Sequence, residues 1–154
     1  MTSSFSSRAV SLVSVSNLLR FIAVGGLVVD ARVHLKLAVA YDSIKTSTIS
    51  QGDLFRIEGW LAIAAAALIL LIRRPLTDFF AAAVAGGGLV ALLIYRYVDL
   101  GAIGPLPSMY EPAWYPDKVH TCIAQAIATA MCLCLLLIAA TGPIRLARRD
   151  ERTM

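Results

Sequence analysis

Three stretches of this chain, residues 54–72, 79–98 and 118–140, stay apolar over lengths that a water-soluble domain has no means of burying. A helix needs about 20 largely apolar residues to cross the hydrocarbon layer of a bilayer. Backbone N–H and C=O groups find no water there, so such segments must be helical. With 58% hydrophobic residues in a chain of 154, against roughly 45–50% in soluble domains, little remains for a separate soluble unit. The expectation is an all-α chain, a single integral membrane domain over residues 1–154.

Local signals mark where these helices begin and end. Asp53 is the expected N-cap of the first stretch, with Trp60 near the same end, and Arg73, Arg74 and Pro75 close it. A connector over 73–78 is short enough to force an antiparallel hairpin with the next helix. Pro116 and Asp117 open the last stretch and Gly142 and Pro143 are expected to stop it. A cytoplasmic tail over 141–154 follows.

A fourth span is expected near the N-terminus, on a helix over about 10–40 with its membrane part at about 21–40, although polar residues interrupt it. Each residue turns a helix by about 100°, so Asp30 and His34 share a face and Arg32 and Lys36 lie opposite. The first pair would face other helices, while the second snorkels to headgroups. A secretory leader does not fit, because Arg20 would sit in its apolar core and no small-x-small cleavage site follows. The serine-rich opening with Arg8 has only a faint transit-peptide composition.

With four spans, the antiparallel bundle puts eight basic residues on one side: Arg8, Arg20, Arg73, Arg74, Arg145, Arg148, Arg149 and Arg152. Six lie on the other, mostly inside helix ends. The positive-inside rule then places both termini in the cytoplasm, N-in and C-in. Trp60, Tyr95, Tyr97, Tyr110, Trp114 and Tyr115 gather at the opposite, outer boundary as half of an aromatic belt. The basic balance reads as topology, with no nucleic-acid partner.

Gly86, Gly87 and Gly88, flanked by Ala82, Ala83 and Ala91, form a small-residue face for close helix packing within the bundle or in a homo-oligomer; Gly25 and Gly26 offer a similar one. Cys122, Cys132 and Cys134 all fall within the last apolar stretch and read as small apolar side chains rather than a disulfide framework.

Ionisable side chains inside a membrane need partners. Asp30, His34, Glu58, Arg96, Asp99 and His120, drawn from all four helices, are expected at one depth beneath the outer surface. The plainest arrangement is a brace in which Glu58 pairs with Arg96 and Asp99 holds the following loop. The sharper one is a pocket. His34 and His120, the only histidines, would suit axial ligation of haem, or with Asp30 and Glu58 a divalent metal, though no cofactor is required. The loop over 99–117 carries Pro105, Pro107, Tyr110, Glu111, Trp114 and Tyr115; it reads as an ordered lid or a stiff connector, and as the best surface for a protein partner.

The stretches Val33-His34-Leu35-Lys36-Leu37 with Tyr41, then Phe55 and Glu58, then Tyr95-Arg96-Tyr97-Val98-Asp99 with the 105–114 segment, resemble small four-helix membrane proteins of actinobacteria that lack an assigned function. The layout is distantly similar to that of DoxX-like membrane proteins, whose motifs do not trace residue by residue. The resemblance implies a bacterial plasma membrane and supplies no activity.

No nucleophile with an adjacent base and no phosphate-cradling loop is legible, so enzymatic activity has the least support. The expectation is a non-catalytic accessory or interaction partner of another membrane or envelope protein. The alternatives are a haem- or metal-binding redox protein using His34 and His120, and an oligomeric small-solute transporter. Reporter domains fused in turn to each terminus are expected to read out the same, cytoplasmic side; opposite sides would break the four-span topology.

Overall fold

The fold is described by a computed structural model covering residues 3–150, with side chains described for 14–141. Four α-helices run in order: α1 (Ser3–Leu37), α2 (Gln51–Leu71), α3 (Pro75–Tyr97) and α4 (Pro116–Asp150), with one 3-10 turn, Ala38–Tyr41, after α1. No strand is present among the described residues. α2, α3 and residues 116–141 of α4 are long and apolar enough to cross a membrane, which makes this a membrane protein. α1 packs along α2 and α4, and α3 closes the ring against α4, whereas α2 and α3 form the thinnest of the four side-by-side helix contacts.

Several helix ends differ from the sequence expectation, by one residue to as many as ten: α1 runs from Ser3 to Leu37 rather than over about 10–40. Ser50, not Asp53, caps α2: the Ser50 hydroxyl accepts from the Asp53 amide at 2.9 Å and the Asp53 carboxylate accepts from the Ser50 amide at 3.1 Å. This reciprocal pair satisfies two amides that the first turn leaves free. α3 starts at Pro75 rather than Phe79, since a proline at the first helical position loses no bond. The connector thereby shrinks to Ile72, Arg73 and Arg74, and Arg73 takes the left-handed conformation, φ 52°, that ends α2. α4 does not stop at Gly142 and Pro143 but continues to Asp150, so the expected tail is helical over most of its length. Proline removes a single ladder bond, and ahead of it the Thr141 hydroxyl donates to the Leu137 carbonyl at 2.9 Å.

The interior is built from small side chains. Ala23, Leu27 and Ala31 of α1 meet Ala62, Ala65, Ala66 and Ile69 of α2, Ala81, Ala82, Val84 and Ala85 of α3, and Ala128 and Cys132 of α4. Larger apolar residues point outward: Phe21, Trp60, Leu71 and Leu137 are each more than 60% exposed. Lipid solvates those side chains as well as a core would, so close backbone approach, not hydrophobic burial, holds the helices together. A β-carbon on Gly26 would come within 2.7 Å of the Ala124 carbonyl oxygen, so α1 and α4 cross there at backbone contact. Of the cysteines, Cys132 is buried, Cys122 half-buried and Cys134 exposed, and all three are free.

The end of the bundle holding the three-residue connector carries an ion pair that the sequence analysis did not anticipate, between Arg20 of the first helix and Asp78, expected in the connector. Arg20 of α1 grips the Asp78 carboxylate of α3 with both guanidinium nitrogens, the second at 2.9 Å, and also donates to the Ile69 carbonyl at 3.3 Å. Their side chains are 11% and 2% exposed. Removing one member of a buried pair strands the other charge, at a cost of about 3 kcal/mol. Arg20→Met is therefore expected to lower the thermal midpoint in detergent strongly, and Arg20→Met with Asp78→Leu to recover most of the loss, as read by a melt followed by circular dichroism.

Candidate functional site

At the opposite end of the bundle, which holds the 99–117 loop, α2 and α3 part and leave a cavity of about 550 Å³. Val33, His34 and Leu37 of α1, Leu54, Phe55 and Glu58 of α2, and Gly87, Gly88, Ile94 and Tyr95 of α3 line it, and Leu106, Met109, Glu111 and Tyr115 complete the wall from the loop. The size suits a small organic molecule. Ile57 and Val90, both about half exposed, are also lining residues, so the cavity reaches the side of the bundle between α2 and α3.

The polar floor begins on α1. Asp30 is fully buried, and one of its carboxylate oxygens receives Gln125 Nε2 from α4 at 2.9 Å and His34 Nδ1 at 2.9 Å. The His34 ring stands edge-on to Phe55, 5.2 Å between centroids, and Phe55 leans on Tyr41 at 5.0 Å. Tyr41 and Tyr115 share a hydroxyl–hydroxyl hydrogen bond of 3.0 Å. An aromatic wall thus runs from the buried carboxylate to the loop.

Glu58 and Arg96 do not pair, contrary to the sequence expectation. Glu58 points at Gly88, where a β-carbon would come within 2.6 Å of its Oε1. Arg96 lies eight residues beyond Gly88, about 12 Å along the axis at 1.5 Å per residue. Its guanidinium rests over the rings of Tyr97 and Trp114 at 5.0 and 5.4 Å. Glu58 Oε1 is buried without a hydrogen-bond partner, as are the side-chain oxygens of Gln51 and Thr121, two further lining residues.

The other expected site residues disperse. His120 is exposed and lines a separate groove of about 330 Å³ between α1 and α4 with Ile22, Gly25, Gly26 and Ile127. The two histidines therefore do not share a cavity. Among the described residues, no group of three or more His, Cys, Asp or Glu side chains is placed to hold a metal ion. Asp99 is exposed and accepts from the Gly101 amide at 3.0 Å, shaping the start of the loop. Lys36 reaches Asp117 at 2.8 Å instead of snorkelling free. Of the glycine run, Gly88 is closed off by Glu58 and Gln125, Gly87 faces the cavity with nothing within 4 Å of a β-carbon, and Gly86 would make only ordinary contact with Thr129.

The loop is tied down at several points. The Glu111 amide donates to the Tyr95 carbonyl at 3.0 Å, and Thr46 donates to the Pro105 carbonyl at 2.7 Å. Lys118 donates to the Glu111 and Ala113 carbonyls. Pro107 is buried, while Pro105, Tyr110 and Trp114 are exposed. Below the loop, Arg56 bonds both Asp42 oxygens at 2.8 and 2.7 Å and holds that carboxyl below its ordinary range. Gln125, Gln51, Thr121, Tyr41 and Lys118 were not among the site residues expected from sequence. Gln125 had a usable signal, an amide in the middle of an apolar span. Neither a protein-family model, a curated protein nor a solved structure matches the chain.

Burial, reinforced by the bond to Tyr41, pushes the Tyr115 phenol above its ordinary range. A raised folded value means that the stabilisation is complete below the unfolded phenol's ordinary range and is lost as pH climbs toward the folded one. The native protein is expected to lose stability above about pH 10, and Tyr115→Phe to flatten that alkaline limb. A melt series across the alkaline range measures it; an unchanged limb in the variant would place the titrating group elsewhere.

Proposed function

We propose that this chain is a four-span protein of a bacterial plasma membrane, with both termini in the cytoplasm, that acts by binding rather than by catalysis. It holds an amphipathic small molecule in the cavity between α2 and α3 and serves as an accessory to a membrane protein that handles that molecule. The observation that carries this reading is the cavity itself: apolar walls, a polar floor with unsatisfied oxygens, and a side that reaches the lipid face. Pockets with few polar groups in an apolar lining are what small-molecule binding requires.

The fourth span is supported by the neutralisation of α1 within the bundle. Arg20 meets Asp78, Asp30 meets His34 and Gln125, and the exposed Arg32 and Lys36 lie near the loop end, within reach of a headgroup layer. Trp114 and Tyr110, exposed on an anchored loop, offer the accessory contact.

Gly87→Leu directs a side chain into the cavity from a lining position where nothing lies within 4 Å of a β-carbon. Purified protein in nanodiscs is expected to bind a neutral alkyl-chain fluorophore at one per chain, and Gly87→Leu to bind it at least tenfold more weakly with its thermal midpoint retained. Equal binding by both proteins would remove the cavity from the function.

A further inference from the structure

The cavity lining holds buried polar atoms that the protein itself leaves without partners. Three lining side chains present buried oxygens without partners: Glu58 Oε1, Gln51 Oε1 and Thr121 Oγ1. Gln51 and Thr121 are 5% and 3% exposed. Carboxylate and amide oxygens only accept, and a hydroxyl accepts as well as donates. The cationic lining residue, Lys118, already donates to two loop carbonyls. His34 turns Nδ1 to Asp30. The buried lining atoms left without a partner are therefore all oxygens, and one of them belongs to a carboxylate.

Leaving such oxygens unpaired in a low-dielectric site costs free energy that a donor-bearing guest recovers. An anionic headgroup would add repulsion from Glu58 and supply no donor. A primary ammonium supplies three donors and one positive charge, and the neighbouring rings of Tyr41, Phe55, Tyr95 and Tyr115 suit a cation. Above the floor, Val33, Leu37, Leu54, Ile94, Leu106 and Met109 line the space for an apolar body. The exposed Ile57 and Val90 mark the lateral mouth through which a membrane-dissolved molecule enters.

We infer that the cavity takes a lipophilic primary amine, its ammonium group set against Glu58 and its apolar body between α2 and α3. This identification rests on the binding role proposed above and adds the chemical class of the ligand. The same chemistry has two sources, a free alkyl amine and an aminophospholipid headgroup.

The test compares decylamine, decanol and decanoate, which share one chain length and differ in headgroup, by calorimetric titration into protein in phosphatidylcholine nanodiscs. Empty nanodiscs and the Glu58→Gln variant give the partitioning background. Decylamine is expected to bind at least tenfold more tightly than decanol and decanoate, and Glu58→Gln to lose that preference while keeping its thermal midpoint and its affinity for decanol. Decanol or decanoate binding as tightly as the amine would overturn the amine assignment and leave the cavity reading standing. Gly87→Leu binding all three like the native protein, or no binding of any of them by the native protein, would overturn both. Repeating the titration in nanodiscs containing phosphatidylethanolamine separates the sources: a tenfold weaker apparent amine affinity marks the aminophospholipid as the occupant, and an unchanged one marks the free amine.

Discussion

Everything in this bundle follows from charge that has to be neutralised inside a low-dielectric layer. Arg20 meets Asp78 near the connector end, and Asp30 meets His34 and Gln125 nearer the loop end. Each contact joins α1 to a helix distant in sequence or fixes a side chain toward the centre. An unpaired ion at either place would cost several kcal/mol in lipid, so the two contacts set which face of α1 turns inward. Between them the interior is mostly alanine, with Leu27, Ile69, Val84 and Cys132, and holds no further ion pair among the described residues. Register along the bundle is thus pinned at two levels.

Close packing does the rest, and it is uneven. α1 fits tightly between α2 and α4, helped by Gly26 against the Ala124 carbonyl and by Gly59 against Leu35. α2 and α3, although neighbours in sequence and joined by the shortest connector, make the thinnest contact of the four adjacent helix pairs. The cavity occupies the space that this weak pairing leaves. Gly88 keeps its floor intact, because any side chain there would displace Glu58 and Gln125 together.

The apolar periods and the punctuation by Pro75, Pro116 and Asp53 made three helices legible from sequence, and the opposition of Asp30 and His34 to Arg32 and Lys36 followed from helical geometry alone. Helix limits slipped where caps involve two residues, as at Ser50 and Asp53, or where a proline is tolerated, as at Pro143. The polar layer was legible as a list of residues but not as a set of partners. Pairing Glu58 with Arg96 assumed that charge attracts charge at any helical distance; the eight residues from Gly88 to Arg96 put the guanidinium beyond reach. Two histidines at similar sequence depth faced different grooves, because rotation about α4 depends on packing that no single-residue property encodes. Gln125 escaped attention because it is uncharged, yet it is the amide that bonds the buried carboxylate.

The link formed by Ile72, Arg73 and Arg74 turns α2 and α3 into a pair of tongs. Their joined ends are held by Arg20 through Asp78 and the Ile69 carbonyl, and the cavity between them lies toward the opposite, unjoined ends. A bulkier guest is accommodated near the free ends, where the backbone bond from Glu111 to Tyr95 would be the first to stretch. The proline-rich segment is tied to the rim of the cavity at that bond, so any widening there is passed directly to the exposed loop residues.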